Sequence, residues 1–310
     1  MSSTQTSAEL VLGTAQLGLV YGVANRIGQP SARDAELILH SAVSAGVKWI
    51  DTAAAYGSAE QRIGAALPGS KGVRIVTKLA PLDEFDETSD AGDIRRAVRD
   101  SVRRSCTRLG TDRLEVLLLH RAHHLMMRSG AVWNAVKALR DEGVIYDLGV
   151  SVYSPQEALA ALADRDVRHI QLPFNALDWR WRDSGVLDAL AKRPGVTIHA
   201  RSALLQGLLA NGTDAHWPAG TDPAELSTRL DRLARELGRD SPADLCLAYV
   251  RAQPWIDGVV VGMESLRQLA LNLALFKRPP LNADEIAAVD AGLPRASERL
   301  LNPALWNQAA

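Results

Sequence analysis

The chain has 310 residues, 47% of them hydrophobic, and a formal net charge of −1 from 35 Lys and Arg against 36 Asp and Glu. That balance excludes a whole-surface attraction to nucleic acid or to an anionic membrane, while leaving room for a local basic pocket. The length buries a large core without staples, and the two cysteines, Cys106 and Cys246, lack metal-ligand spacing and fit a reducing compartment, here the cytoplasm.

The N-terminal MSSTQTSAEL has no basic start followed by an apolar run, so no signal peptide is predicted. No run of about 18 apolar residues predicts a transmembrane helix. The first strand is predicted at 10–16, and a helix over 31–46 opens on Ser31 as N-cap and closes at Gly46. Next come a strand at 49–53 with a helix at 58–66, and a strand at 74–79 with a helix at 91–109. A strand at 114–120 precedes a helix at 130–142, and a strand at 145–152 precedes a helix at 155–163 opened by Ser154-Pro155. The sixth strand is placed at 169–175, with its helix at 184–192. The seventh, at 197–202, precedes a Gly-, Ala- and Asn-rich loop at 205–221, an extra helix near 222–237 and a helix at 241–252 opened by Ser241-Pro242. The eighth strand, at 257–262, leads to helices at 265–276 and 283–290.

These strands are short, β-branched or Leu-rich and nearly continuous in apolarity, as strands buried on both faces of a parallel sheet are. Eight strand–helix alternations predict an α/β fold, a (β/α)8 TIM barrel with an N-terminal strand element and two extra helices. One domain over 1–310 then accounts for a length that would otherwise suggest two. The rival, an open doubly wound sheet, lacks its G-x-G-x-x-G after the first strand.

In such a barrel the active site lies where the strands end. Asp51 ends the second strand, Tyr56 follows in the loop, Lys78 ends the third and His120 the fourth. Taken singly, each has an ordinary reading: a turn cap, a packing ring, a solvated strand end, a core histidine. Together they assemble an acid. An ammonium beside a phenol lowers its ordinary pKa of about 10, a carboxylate holds the ammonium, and an imidazole orients a carbonyl oxygen. A barrel isomerase or lyase using Lys78 as a Schiff-base amine is the competing chemistry.

Asp51-Thr52-Ala53-Ala54-Ala55-Tyr56-Gly57-Ser58-Ala59-Glu60, with Lys78 and His120 in order, resembles the signature of the aldo-keto reductases, and the likeness runs from about Leu12 to Pro280. The resemblance implies Tyr56 as acid/base, Lys78 and Asp51 as its tuners, and His120 as carbonyl orienter. It implies an NADP(H) or NAD(H) cofactor held extended, and reduction of an aldehyde or ketone, such as a sugar or sugar derivative, or the reverse. A cofactor-binding regulatory or redox-sensing barrel with slow turnover is the alternative.

Gly13, Thr14 and Asp51 fall on the expected cofactor groove. Gly149-Val150-Ser151 resembles a Gly-Val-Ser-Asn stretch that holds the carboxamide, with Val152 in place of the Asn; Gln171 and Asn175 resemble the amides of the sixth strand. Residues 201–209 resemble Tyr-Ser-Pro-Leu-x-x-Gly-Leu-Leu, which brings Ser202, Leu204 and Gly207 to the cofactor. Arg201 replaces the stacking aromatic and Ala203 the Pro. Arg201 is open to three readings: stacking on the ring, capture of an anionic substrate group, or a salt bridge to a carboxylate. Gly262, Glu264, Gln268 and Asn272 resemble the adenosine grip. Glu264 leans towards NAD(H) and the family towards NADP(H), with Arg267 able to offset the carboxylate.

Arg121, Trp179 and Arg180 are candidate substrate contacts beside Tyr56 and His120. The segment Asp178-Trp179-Arg180-Trp181-Arg182 reads equally as a loop packing its Trp on the barrel. Trp306 is a further candidate wall. His123-His124 read as a solvated loop, and no metal is expected. The Arg-rich helix at 91–109 reads as a salt-bridged face, so no nucleic-acid or membrane partner is expected, and the oligomeric state stays open.

Overall fold

The computed structural model describes residues 7–70, 72–212 and 217–306. The first six residues and positions 213–216, within the loop read at 205–221, lie outside the described residues. Eight parallel strands close a barrel in chain order: β1 (Glu9–Gly13), β2 (Trp49–Asp51), β3 (Arg74–Lys78), β4 (Leu114–Leu119), β5 (Ile145–Ser151), β6 (His169–Pro173), β7 (Thr197–Arg201) and β8 (Gly258–Gly262). The N-terminal strand element is the barrel's own β1, which pairs with β2 on one side and β8 on the other, Leu12 facing Ile50 and Val261 in register.

Alternation along each strand separates two apolar compartments. Leu12, Ile50, Ile75, Leu117, Leu148 and Ile198 face outward into one continuous core beneath the helices. Val76, Val116 and Leu118 form a second cluster with Trp49 beneath them, inside the barrel. The interior also holds two buried histidines. The rings of His169 and His199 are 4.3 Å apart, His199 meets Trp49 edge-on at 4.9 Å, and Arg74 covers Trp49 at 4.2 Å.

The helices start where their caps predict. Ser31 Oγ accepts from the Asp34 amide, Ser154 Oγ from Glu157 and Ser241 Oγ from Asp244. The two extra helices are Pro223–Glu236 and Ala283–Gly292. The helix read at 130–142 is entered earlier, through a left-handed turn at Arg128, Ser129 and Gly130 (φ 50, 55 and 78°). Three one-turn helices, Ala15–Gly18, Leu208–Asn211 and Glu298–Leu301, were not predicted. No helix among the described residues is long and apolar enough to cross a membrane.

Candidate active site

The strands end at one mouth, and the polar residues at those ends meet there. Lys78, the last residue of β3, is 1% exposed. Its Nζ donates to Asp51 Oδ1 at 2.7 Å and to the Thr52 carbonyl at 2.9 Å. Gln171 Nε2, from β6, donates to the same Asp51 oxygen at 2.6 Å. Thr14 Oγ1 donates to the Asp51 carbonyl at 2.8 Å, which ties β1 to the end of β2.

Tyr56 sits in the turn between β2 and the helix Ala59–Ala66. Its amide donates to the Ala53 carbonyl at 3.0 Å. The one-turn helix Ala15–Gly18 presses on this turn: the Ser58 amide donates to the Gly18 carbonyl at 3.2 Å. A Cβ on Gly18 would stand 1.8 Å from the Tyr56 carbonyl oxygen, and one on Gly57 would stand 2.3 Å from the Gly18 oxygen. The motif's final residue, Glu60, is buried; it accepts from Thr77 Oγ1 at 2.8 Å and pairs with Arg108 at 3.5 Å. Glu60 thus anchors the helix that follows Tyr56 onto β3, one residue before Lys78.

Lys78 Nζ lies 5.0 Å from the centre of the Tyr56 ring, and the His120 ring meets that ring edge-on at 6.0 Å. The electrostatics correct one expectation. The Tyr56 phenol is held above its ordinary pKa, first by burial and then by the Asp51 charge, against a smaller opposing pull from Arg201. The Lys78 ammonium, engaged by Asp51 and the Thr52 carbonyl, does not outweigh them. Burial pulls Lys78 itself down, with Asp51 opposing. His120 is pulled down to about 3, first by burial and then by the charges of Lys78 and Arg201, so it is neutral. Its Nδ1 is buried without a partner, and His120 is not among the residues that line the cleft.

A cleft of about 550 Å³ runs from Asp51 and Tyr56 across the ends of the strands to the helix Leu266–Lys277. Gly13, Thr14, Asp51, Gln171, Arg201, Ser202, Leu204, Gly207, Gly262, Glu264, Gln268 and Asn272 all line it. Ser151 does not: it is buried at the end of β5, outside the lining. Gln171 Oε1 and Asn175 Nδ2 are buried and unpartnered. At the far end the Glu264 amide donates to Gln268 Oε1 at 2.6 Å, and Arg267 is exposed and off the lining. Over the middle, the Val23 amide reaches Gln206 Oε1 at 3.3 Å, so the loop after β1 touches the loop after β7.

Arg201 makes no salt bridge among the described residues. Its Nη2 donates to the Val152 carbonyl at 3.2 Å, and its guanidinium lies over the Tyr153 ring at 4.2 Å. Sequence reasoning missed Tyr153 and also Tyr21, which lines the cleft; the only available signal was the scarcity of Tyr, five in the chain.

Other expected contacts lie elsewhere. Arg180 is buried and folds back on Asp178, donating through Nε at 2.8 Å and Nη2 at 2.7 Å, while the fully buried Trp181 donates to the same carboxylate at 3.0 Å. Trp179 donates to the Ala296 carbonyl at 3.3 Å beneath Arg295, in a separate depression. Arg121 turns outward to Asp83 at 3.0 Å. Trp306 donates to the Leu300 carbonyl at 3.1 Å and packs on the core. His124 is buried rather than solvated, with burial pulling it down to about 4, and no metal-ligand cluster exists among the described residues. On the Arg-rich helix Ala91–Leu109, Arg99 pairs with Glu142 at 2.6 Å and Arg96 with Asp93.

Comparison with known proteins places this geometry. The model of the Aldo/keto reductase family matches residues 9–293. A D-threo-aldose 1-dehydrogenase of a Pseudomonas species is 29% identical, over 88% of this chain and 92% of its own. An aldo-keto reductase of Mycolicibacterium vanbaalenii is 32% identical, with 85% of each chain covered. The holo form of an aldo-keto reductase from Bacillus halodurans shares the fold at a TM-score of 0.73 and 24% identity, over 94% of this chain and 93% of that one. With a match that spans all eight strands and the strand ends and loops bearing Asp51, Tyr56, Lys78 and His120, the chain belongs to the Aldo/keto reductase family, a family of oxidoreductases.

Proposed function

We propose that the protein is a nicotinamide-dependent oxidoreductase interconverting the carbonyl of a small aldehyde or ketone with the corresponding alcohol, Tyr56 moving the proton at oxygen. The observation that carries this reading is the position of Tyr56 at the head of a long cleft, over a buried Lys78–Asp51–Gln171 network. A sugar or sugar derivative is among the fitting substrates, in line with the aldose named for the Pseudomonas relative.

The cleft fits a dinucleotide chemically. Gln171 Oε1 is an unsatisfied acceptor and Asn175 Nδ2 an unsatisfied donor, the pair a carboxamide would complete. Ser202, Leu204 and Gly207 would flank its middle, and Gly262, Glu264, Gln268 and Asn272 its adenosine end. The lining's single cation, Arg201, ends β7, and no cation of the lining comes from the end of β8 or the helix Leu266–Lys277 that carry Gly262, Gln268 and Asn272. A carboxylate there repels a 2′-phosphate and accepts from a free 2′-hydroxyl, which favours NAD(H) over NADP(H).

The bound nicotinamide supplies or receives the hydride. The chain's own residues handle the oxygen. Tyr56, held above its ordinary pKa, stays protonated at neutral pH and acts as donor in the reducing direction. Neutral His120, edge-on to the Tyr56 ring, orients the carbonyl oxygen without competing as a charged acid. As the proton leaves Tyr56, negative charge develops on the phenol, and the Lys78 charge already fixed beneath the ring stabilises it. Tyr56→Phe keeps the ring and removes the proton. We expect carbonyl reduction to fall by about 10²–10⁴-fold while the NADH dissociation constant, read by fluorescence titration, stays within about twofold. Retained turnover would overturn the acid role.

A further inference from the structure

Arg201 is the one cationic side chain among the described residues that line the cleft. Other arginines around this end of the barrel each have a carboxylate: Arg180 has Asp178 at 2.7 Å, Arg121 has Asp83 at 3.0 Å, Arg295 has Asp183 at 3.1 Å, and Arg182 has Asp290. Arg201 instead has a backbone carbonyl and an aromatic face. Both are neutral. They fix the direction of the guanidinium and leave its charge, and most of its five N–H donors, unspent.

The charges at the catalytic end sum simply. Lys78 and Asp51 form a buried pair, and His120 is neutral. What remains is the positive charge of Arg201, half-buried next to Tyr56 and without an ion-pair partner among the described residues. A cation drawn partly out of water without a counter-charge is costly, and an anionic ligand removes that cost. Of the cleft's three carboxylates, Asp51 is already paired with Lys78, and Glu264 and Asp240 make no ion pair with Arg201, so this charge is left for a ligand.

We propose that Arg201, backed by the Tyr153 ring, is the subsite for an anionic group on the substrate, so that the preferred substrates are carbonyl compounds, or their alcohols, that also bear a carboxylate or a phosphate. This rests on the oxidoreductase reading above and names its substrate class. A guanidinium fork meets either anion through two parallel N–H bonds, and Tyr153 holds the plane of that fork. The reacting carbonyl then lies between Arg201 and the Tyr56–His120 pair, anchored at its charged end.

The test uses matched pairs of substrates that differ in charge: succinic semialdehyde against butanal, and glyceraldehyde 3-phosphate against glyceraldehyde. For the native enzyme kcat/KM is expected to favour the charged member of at least one pair by about tenfold or more. In Arg201→Gln that ratio is expected to collapse towards one, whatever happens to absolute rates, and Arg201→Lys is expected to restore part of it. Which pair responds separates carboxylate from phosphate. Calorimetric titration with succinate and with inorganic phosphate reads the subsite without turnover, and binding of one of them is expected to disappear in Arg201→Gln. Equal rates within both pairs, or a ratio that survives Arg201→Gln, would overturn the subsite. So would a loss of NADH affinity in Arg201→Gln matching the loss in kcat/KM, since the cation would then serve the cofactor phosphates. Arginine-dependent anion binding with no carbonyl turnover would keep the subsite and overturn the oxidoreductase reading instead.

Discussion

Glu264 and Arg201 line one cleft with opposite charges, and each departs from what its surroundings would lead one to expect. For Glu264 the consequence is cofactor choice. Glu264→Lys exchanges repulsion of a 2′-phosphate for attraction. We expect the ratio of kcat/KM with NADPH to that with NADH to rise by about tenfold or more, measured with one carbonyl substrate. An unchanged ratio would mean that the carboxylate does not meet the ribose. At this scale the sequence was most legible where a residue type is anomalous for its position, as with a carboxylate, an ammonium and an imidazole at successive strand ends. It was least legible for Arg180, since Asp178-Trp179-Arg180 reads the same whether the arginine faces the mouth or folds back on the aspartate two residues earlier. The lowered Tyr56 pKa expected from Lys78 was likewise out of reach, because burial, the larger effect, is not written in spacing.

Among the elements, the one-turn helix Ala15–Gly18 has more influence than its length suggests. Its last residue touches the turn that aims Tyr56, at a separation that only glycine permits. Gly18→Ala must push that turn away from β1. We expect a loss of about 1–3 kcal/mol in stability, read from the denaturant midpoint, together with a kcat loss of about tenfold or more as the phenol moves off its line. Stability lost with kcat intact would show that the contact holds the fold and not the phenol. Such a helix could not be read from the sequence, for four residues barely exceed one helical turn and show no repeat. The longer helices were legible because each carries a cap and a full apolar stripe, as Ala91–Leu109 does between Asp90 and Gly110. The left-handed entry at Arg128 and Ser129 was not, since neither residue type favours positive φ.

Across the whole molecule, the barrel interior sets the pH range of the fold. His169 lies well below its ordinary pKa and His199 is pulled down to about 3, both by burial first, so both are neutral when folded. Once unfolded they titrate near 6.5. Between those values the unfolded chain binds protons that the folded one does not, so stability is lost as pH falls below about 6.5 and is fully present above it. For His199 the loss approaches about 1.4 kcal/mol per pH unit well below pH 6.5, and His169 acts in the same direction, against a typical stability of about 5–15 kcal/mol. The urea midpoint is expected to drop steadily from about pH 7 to 5, and His199→Gln is expected to flatten that slope; a native curve level over this range would contradict the assignment.

The closure of the barrel also has a consequence for its biogenesis. β1 must pair with β8, whose residues lie some 250 positions later in the chain (Leu12 against Val261). Until β8 leaves the ribosome, a nascent barrel exposes the open edges of β1 and β7, each a template for unwanted strand pairing. The last contacts to form are also the longest in sequence, so closure comes late and folding is slow relative to chains built on local contacts. Fragments ending before Gly258 should therefore accumulate as aggregates or chaperone clients, and release of the finished strand should mark the moment at which both edges disappear together.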